Sequence, residues 1–580
     1  MHEHEGRLLM RVVRGLGWLA GAAIGVAVLA PVGALLPAAI IDRGSAGSVR
    51  GSLLYVALAV FDPFVWTCLG NSLMVALAVA VGSWWIGVGL ARMIGRWRFW
   101  ARRPLATLVW VPLAVPPLVA ALGVRGIIAR LEPWPGPGWN MLPWLAWVWI
   151  GLTGGVPLVA LVAKAALGRV DPAWEEAARQ AGGSRRQVWW TIAWPIARPE
   201  TARAVASVFA LMLFEPGAPL ILGLRRTLAF QVVEAALAGP TQFPRAALLT
   251  LMALAIVASG RLLLRWWSRS PWPAPAVMEN QFPPRARWLR AAAMTSFLAA
   301  WAAVGILPTF SVLAMASAPI RHEPQGSVSA SSPSVFTRLR RDPDTARLAA
   351  TSLGLGAGAA ALGLGLASGL IASAGWHSPR WSRWRRLAAS LPEACPPLAI
   401  GVGASFIPWI VGAAADGLFA SQSLIASGLH GLADGLDPYR TPGLLLVVSL
   451  MVMNLPMLAR AATIGQQRTR PRLTDAARSL GASRLRARRT MIRFWLGSTP
   501  GAAFVLATAL AATSLAPALV LAPTSEGEPV SVAILRLADQ PGDSLRRACT
   551  FATAAIGLNL AALAFAARCQ PGPLGTWFRG

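Results

Sequence analysis

Long apolar runs alternate with short polar segments along almost the whole chain. A spanning helix needs about 20 apolar residues. We read crossings at 16–41, 69–91, 104–124, 143–165, 201–224 and 244–264, and a second set at 289–316, 349–374, 388–411, 442–464, 500–522 and 547–567. Each must be helical, because an unpaired backbone amide in lipid costs several kcal/mol and an open strand leaves a row of them. The first run is too long for the core of a cleavable signal and suits a first span. The pattern predicts an all-α polytopic membrane protein of about twelve transmembrane helices in two homologous six-helix halves.

The polar segments decide orientation. Arginine concentrates before the first span, between the second and third, around 169–198, at 261–290, at 380–386 and at 468–493. Cytoplasmic loops carry the excess of positive charge, so these segments and both termini are expected in the cytoplasm. The stretch 317–348 departs from this, since Arg321, Arg338, Arg340, Arg341 and Arg347 face outward in the same scheme; long loops obey the rule only partly. A proline-rich linker at 276–287 separates residues 1–275 from 288–580. With 55% hydrophobic and 13% charged residues, the chain carries about half the charge of a soluble protein. The net charge of +29 does not signal nucleic acid, because the arginines form no continuous stripe with interleaved aromatics. Tryptophans such as Trp84, Trp85, Trp97, Trp266 and Trp267 lie near span ends and read as interface anchors.

One polar loop occurs twice. Asp171-Pro172-Ala173-Trp174-Glu175-Glu176-Ala177-Ala178-Arg179 and the following Gly182 return 299 positions later as Arg470 through Arg478 and Gly481, and Pro157 meets Pro456 at the same offset. A drifted duplication places one such loop in each membrane half. In the first copy Asp171 can cap a helix, Pro172 suits its first position, and Glu175 and Glu176 sit where the helix dipole favours acids. Gly182-Gly183 ends it. Ser184 and Gln187 have capping-box spacing and start a second short helix expected to run through Trp194 and stop before Pro195.

Chemistry inside the chain is sparse. Cys68, Cys395, Cys549 and Cys569 show no CxxC spacing and the five histidines no HExxH, so neither a metal site nor a disulfide framework is indicated. The sole lysine, Lys164, is followed by Ala165, so the Gly-Lys-Ser/Thr of a phosphate-binding loop is missing. No catalytic constellation is visible. Glu215, toward the outer end of the fifth span, lines a path, holds an interfacial structural place or contacts the ligand directly. Asn454 in the tenth span suits an interhelical hydrogen bond or a solute path, and Glu393 beside Arg385 and Arg386 suits an interfacial ion pair.

Glu176-Ala177-Ala178, Gly182, Ile192 and Trp194-Pro195, at these spacings and between the fourth and fifth spans, resemble the EAA loop of binding-protein-dependent ABC import permeases. Trp194 replaces that family's leucine. Asn71-Ser72-Leu73, Pro112 through Pro117 and Phe214 through Pro219 are similar to family patterns. The fused halves most resemble ferric-iron-type permeases, with thiamine and phosphonate importers as alternatives. The resemblance implies an inner-membrane subunit with no cofactor of its own and no enzymatic activity, two cytoplasmic ATPase subunits that bind ATP, and a periplasmic solute-binding protein. It also implies that Glu175, Glu176, Ala177, Ala178, Gly182, Ile192 and Pro195, with Asp475, Ala476, Ala477 and Gly481 in the second copy, form the ATPase-coupling loops. The second copy departs from the pattern at Asp475, Met491 and Phe494. A secondary transporter would also show repeats, but it needs ionisable residues at the midplane, and these spans hold few.

Overall fold

Proline and acid residues mark where several helices begin. A computed structural model describes residues 2–43, 49–51, 60–131, 139–269, 287–318, 334–372, 391–418, 424–438, 440, 443–468, 479–481, 499–522, 527–540 and 542–569. The first half contains α1 (His2–Ile40), α2 (Pro63–Arg96), α3 (Arg102–Trp110), α4 (Pro117–Leu131), α5 (Leu142–Leu167), α6 (Pro172–Gln180), α7 (Arg185–Val188), α8 (Trp194–Leu213), α9 (Gly217–Leu222), α10 (Leu228–Leu237) and α11 (Phe243–Trp267). The second contains α12 (Trp288–Ser317), α13 (Val335–Arg341), α14 (Asp344–Ala372), α15 (Pro397–Leu418), α16 (Leu424–Leu436), α17 (Leu444–Arg468), α18 (Thr499–Ala512), α19 (Ala516–Leu521), α20 (Val530–Ala538) and α21 (Asp543–Cys569). Among the described residues the exception to helix is a ribbon pairing Ile41–Arg43 with Val49–Gly51. The helix α2 shows how local sequence sets a start: Asp62 Oδ1 accepts from Phe64 N at 2.9 Å and Pro63 occupies the first turn.

Nine of the described helices are long and apolar enough to cross a bilayer, and a bent pair, α3 with its short continuation through Ala114 and then α4, turning by 100°, brings the number to ten when counted as one span. Among the described residues the expected crossings are thus not all single straight helices. The expected third span breaks because Pro116-Pro117 removes two consecutive amide donors. The fifth ends at Leu213, where Glu215-Pro216 turns the chain into α9, and the eleventh is the 14-residue α18, followed by α19. The linker 276–286 lies outside the described residues.

The two halves repeat one packing scheme: α2 packs on α5 and α8, and likewise α14 on α17 and α18. Their first helices are exchanged. The helix α1 lies on α15 and α14 of the second half, and α12 lies on α3 and α4 of the first. Both exchanges depend on glycine. A Cβ at Gly123 in α4 would fall 2.1 Å from the Pro308 carbonyl oxygen of α12, and one at Gly403 in α15 would fall 2.1 Å from that of Pro31 in α1. One continuous apolar core draws on both halves, from Leu35 and Leu118 to Phe406, Leu519 and Phe551.

The same duplication explains Asn71-Ser72-Leu73. Ser72 Oγ accepts from Leu228 N at 2.8 Å, and Asn71 donates to the Arg226 carbonyl at 2.9 Å, tying the start of α10 to α2. In the second half Ser352 Oγ accepts from Val530 N at 2.8 Å and Thr351 donates to the Glu528 carbonyl at 3.3 Å. Two arginines of 334–348 have local partners: Arg338 donates to the Ala316 and Ala318 carbonyls that end α12, and Arg347 pairs with Asp344 at 3.0 Å.

Candidate coupling loop and central cavity

The first repeated loop folds from short-range signals. Asp171 caps α6 by accepting from Ala173 N at 2.9 Å. Gly182 then takes φ +87°, a left-handed conformation that costs an L side chain roughly 1–2 kcal/mol. At Ser184 both capping-box bonds are present, Ser184 N to Gln187 Oε1 at 2.8 Å and Gln187 N to Ser184 Oγ at 3.3 Å. The expected stop before Pro195 is not seen. A π turn at Trp189–Ala193 carries α7 straight into α8, with Trp194 N–H bonded to Trp189 O. The wider turn spares the Pro195 ring the clash that breaks a regular helix.

Two acids that look alike in sequence have different surroundings. Glu175 is partly buried and accepts from Arg96 at the end of α2. Glu176 is 67% exposed and has only a 3.9 Å contact with Arg179. No residue of α6 is buried, and Ala177 faces solvent. Beneath this knob, Trp174, Trp189 and Ile192 pack on a cluster of Ala91, Ala163, Leu167 and Ala193, and Arg92 lies 4.5 Å over the Trp189 ring. Trp194, the departure from the family leucine, is buried between Trp84 at 6.0 Å and Trp189 at 6.5 Å. The knob is thus held from below and bare on its outer face. In the second copy Gly481 takes φ +85°, matching Gly182, and Leu480 is exposed. Asp475, Ala476 and Ala477 lie outside the described residues.

Between the halves lies a cavity of about 630 Å3. Its lining repeats at the 299-residue offset: Leu158 with Met457, Leu161 with Arg460, Val162 with Ala461, Ala204 with Ala503 and Leu211 with Leu510. An Arg169–Glu200 contact of 3.3 Å joins the knob's loop to the cavity wall, which places the charged end of the cavity on the knob's side. Toward the opposite end, Phe243 of α11 packs on Phe406 at 4.7 Å and on Trp409 at 5.8 Å.

The residues singled out for the path sit beside it. Glu215 is not on the lining; its Oε1 accepts from Gly217 N at 2.8 Å and shapes the turn into α9. Asn454 is buried and donates to Leu450 O within its own helix at 3.0 Å, while Met453, Pro456 and Met457 face the cavity. Sequence reasoning missed Asn559, which donates to Ala114 O at 2.9 Å and to Thr513 at 3.1 Å, linking the last helix of the second half to the broken helix of the first. It also missed a second motif. Pro392-Glu393-Ala394-Cys395-Pro396-Pro397 repeats Pro112-Leu113-Ala114-Val115-Pro116-Pro117 at an offset of 280, and both stretches contribute to the cavity wall.

Two like helical halves around a shared cavity, spanning a membrane many times, define a transport protein. Residues 85–271 match the family described as the binding-protein-dependent transport system inner membrane component. Over that stretch the chain carries the membrane domain of ABC importer permeases. It is 28% identical over 216 residues to the molybdenum transport system permease protein ModB of Escherichia coli, covering 35% of this chain and 93% of that protein. A probable molybdenum ABC transporter permease of Haloferax volcanii is 28% identical over 272 residues, 46% of this chain and 94% of the relative. An Fe(3+)-transport system permease, FbpB 2 of Haemophilus influenzae, is 26% identical over 201 residues, 34% of this chain and 37% of the relative. The chain is a multi-pass subunit of an import system that works with an ATPase and a solute-binding protein.

Proposed function

We propose that the chain forms the path for a small inorganic oxyanion of the molybdate or tungstate kind, received from a binding protein outside and driven by two cytoplasmic ATPase subunits. The observation that carries the reading is the cavity lined by equivalent residues of both halves, with an exposed capped helix at its charged end. Arg203, Arg261 and Arg460 on the wall outnumber Glu200 and Glu393, which favours an anion. The names of the molybdenum permease relatives support the same class.

In this reading Glu176, Ala177, Ala178 and Gly182 present the face that enters a cleft of one ATPase, while Glu175, Ile192 and Pro195 fix the knob to the membrane helices. Asp475, Ala476, Ala477 and Gly481 serve the second ATPase. Small alanine side chains allow close approach, and the partly buried Arg96–Glu175 pair passes a pull on the knob into α2. Ferric iron is the second reading, favoured by the Fe(3+) permease relative. The test is ATP-dependent uptake of radiolabelled molybdate and of ferric ion into vesicles containing this chain, its ATPase and its binding protein. Molybdate uptake blocked by excess tungstate is expected; uptake of ferric ion alone overturns the oxyanion reading.

A further inference from the structure

The cavity wall is symmetric in its apolar residues and asymmetric in its charges. Where the first half has Leu161, the second has Arg460, and where the first has Leu113 in its Pro-x-Ala-x-Pro-Pro motif, the second has Glu393. The two charged replacements meet: Arg460 Nη2 donates to Glu393 Oε1. Two substitutions at separate points of the chain have therefore produced one ion pair on one wall. Its arginine side chain is 72% exposed and its glutamate 36%, so an exposed pair of this kind adds little to stability. Only one of the five guanidinium N–H donors is engaged by Glu393, and the fork remains open to the cavity. Arg261, from α11 of the first half, lines the same wall within electrostatic reach of Glu393. The other charged groups on the lining, Glu200 and Arg203, pair with each other at 2.7 Å.

We infer that Arg460, oriented by Glu393 and reinforced by Arg261, is an anion-selecting station on the second half's wall. A tetrahedral oxyanion released into the cavity meets a planar fork of donors there, and a cation meets excess positive charge. The first half has Leu161 and Leu113 in the equivalent places and is apolar there. The selecting fork at the inner end of the path thus belongs to the second half, with Arg261 of the first half adding charge behind it. This rests on the oxyanion reading for its substrate, but not for its electrostatics.

The test uses Cys395, which lines the same wall. In the intact transporter, its rate of modification by a sulfonate-bearing and by a trimethylammonium-bearing methanethiosulfonate is followed by mass spectrometry of the Cys395 peptide. The anionic reagent is expected to react faster in the wild type. Arg460→Leu, which copies the first half, lowers the anionic-to-cationic rate ratio by about tenfold, the effect of one unit charge a few ångströms away in a wet cavity. Arg460→Lys leaves most of the ratio, and Glu393→Gln raises it. An unchanged ratio in Arg460→Leu together with Glu393→Gln overturns the station. Uptake separates the two ideas: a wild type that takes up no molybdate removes the oxyanion reading, whereas molybdate uptake that Arg460→Leu leaves at full rate and affinity removes the station alone.

Discussion

Replacing Gly123 by alanine tests the exchange of first helices directly. The new methyl carbon would lie 2.1 Å from the Pro308 carbonyl oxygen, 2.7 Å from its carbonyl carbon and 3.0 Å from its Cα. All three are backbone atoms of a spanning helix, so no side chain can swing aside. Restoring van der Waals contact requires α12 to retreat from α4 by about 1 Å along the crossing. Overpacking of this kind costs roughly 1–3 kcal/mol, and a backbone obstacle puts Gly123→Ala at the upper end, about 3 kcal/mol. Gly403→Ala meets Pro31 O at 2.1 Å and should cost as much. The matched controls are Gly154→Ala and Gly365→Ala, whose added carbons meet nothing within 4 Å; relief of glycine's helix penalty makes them neutral or stabilising by up to about 1 kcal/mol. Thermal unfolding of the purified protein in detergent reads all four. Equal midpoints for Gly123→Ala, Gly403→Ala and the controls would refute the claim that these crossings require glycine.

Glu176→Lys reverses charge on the bare face of α6 and should abolish most ATP-coupled uptake in reconstituted vesicles while leaving membrane insertion intact; normal uptake argues against coupling through that face. Ser184→Ala removes one capping-box bond and should lower stability by about 1 kcal/mol, visible as faster proteolysis of the 180–186 segment, with Ser184→Thr retaining the wild-type rate. Asn559→Leu strips the Ala114 carbonyl of its donor across the halves and should cost about 1–3 kcal/mol, seen as a lower unfolding midpoint, whereas Asn559→Gln should recover part of it.

Legibility followed the range of the interactions. The knob could be read because its determinants lie within a few residues of each other: Asp171 with Ala173, Ser184 with Gln187, and Gly182 at its positive φ. The apolar runs announced the long helices for the same reason. Pro195 misled, because a proline signals a helix end locally while the π turn that accommodates it sits where Trp194 packs on both Trp84 and Trp189. The broken third span was written in Pro116-Pro117, yet apolarity on both sides of the break concealed it. The mirrored Pro392–Pro397 motif escaped a search at constant offset because it is displaced by 280 rather than 299 residues. The difference is taken up before α17, where the second half carries the additional helix α16. Long-range partners such as Asn559 and Ala114, or Gly403 and Pro31, leave no mark in either local sequence.

The exchange of α1 onto α15 also sets a timetable for biogenesis. The first helix enters the bilayer when few residues have been made, but the surface it rests on ends near Leu418. At ribosomal speeds of about 5–20 residues per second, the interval is roughly 20–75 seconds. During that time the face of Ile24, Val28 and Pro31 that rests on the second half has only lipid or an insertase to shelter it. A nascent chain arrested before α15 would therefore expose a helix awaiting its berth, a natural target for membrane quality-control proteases, and joining both halves in one polypeptide guarantees that the berth arrives.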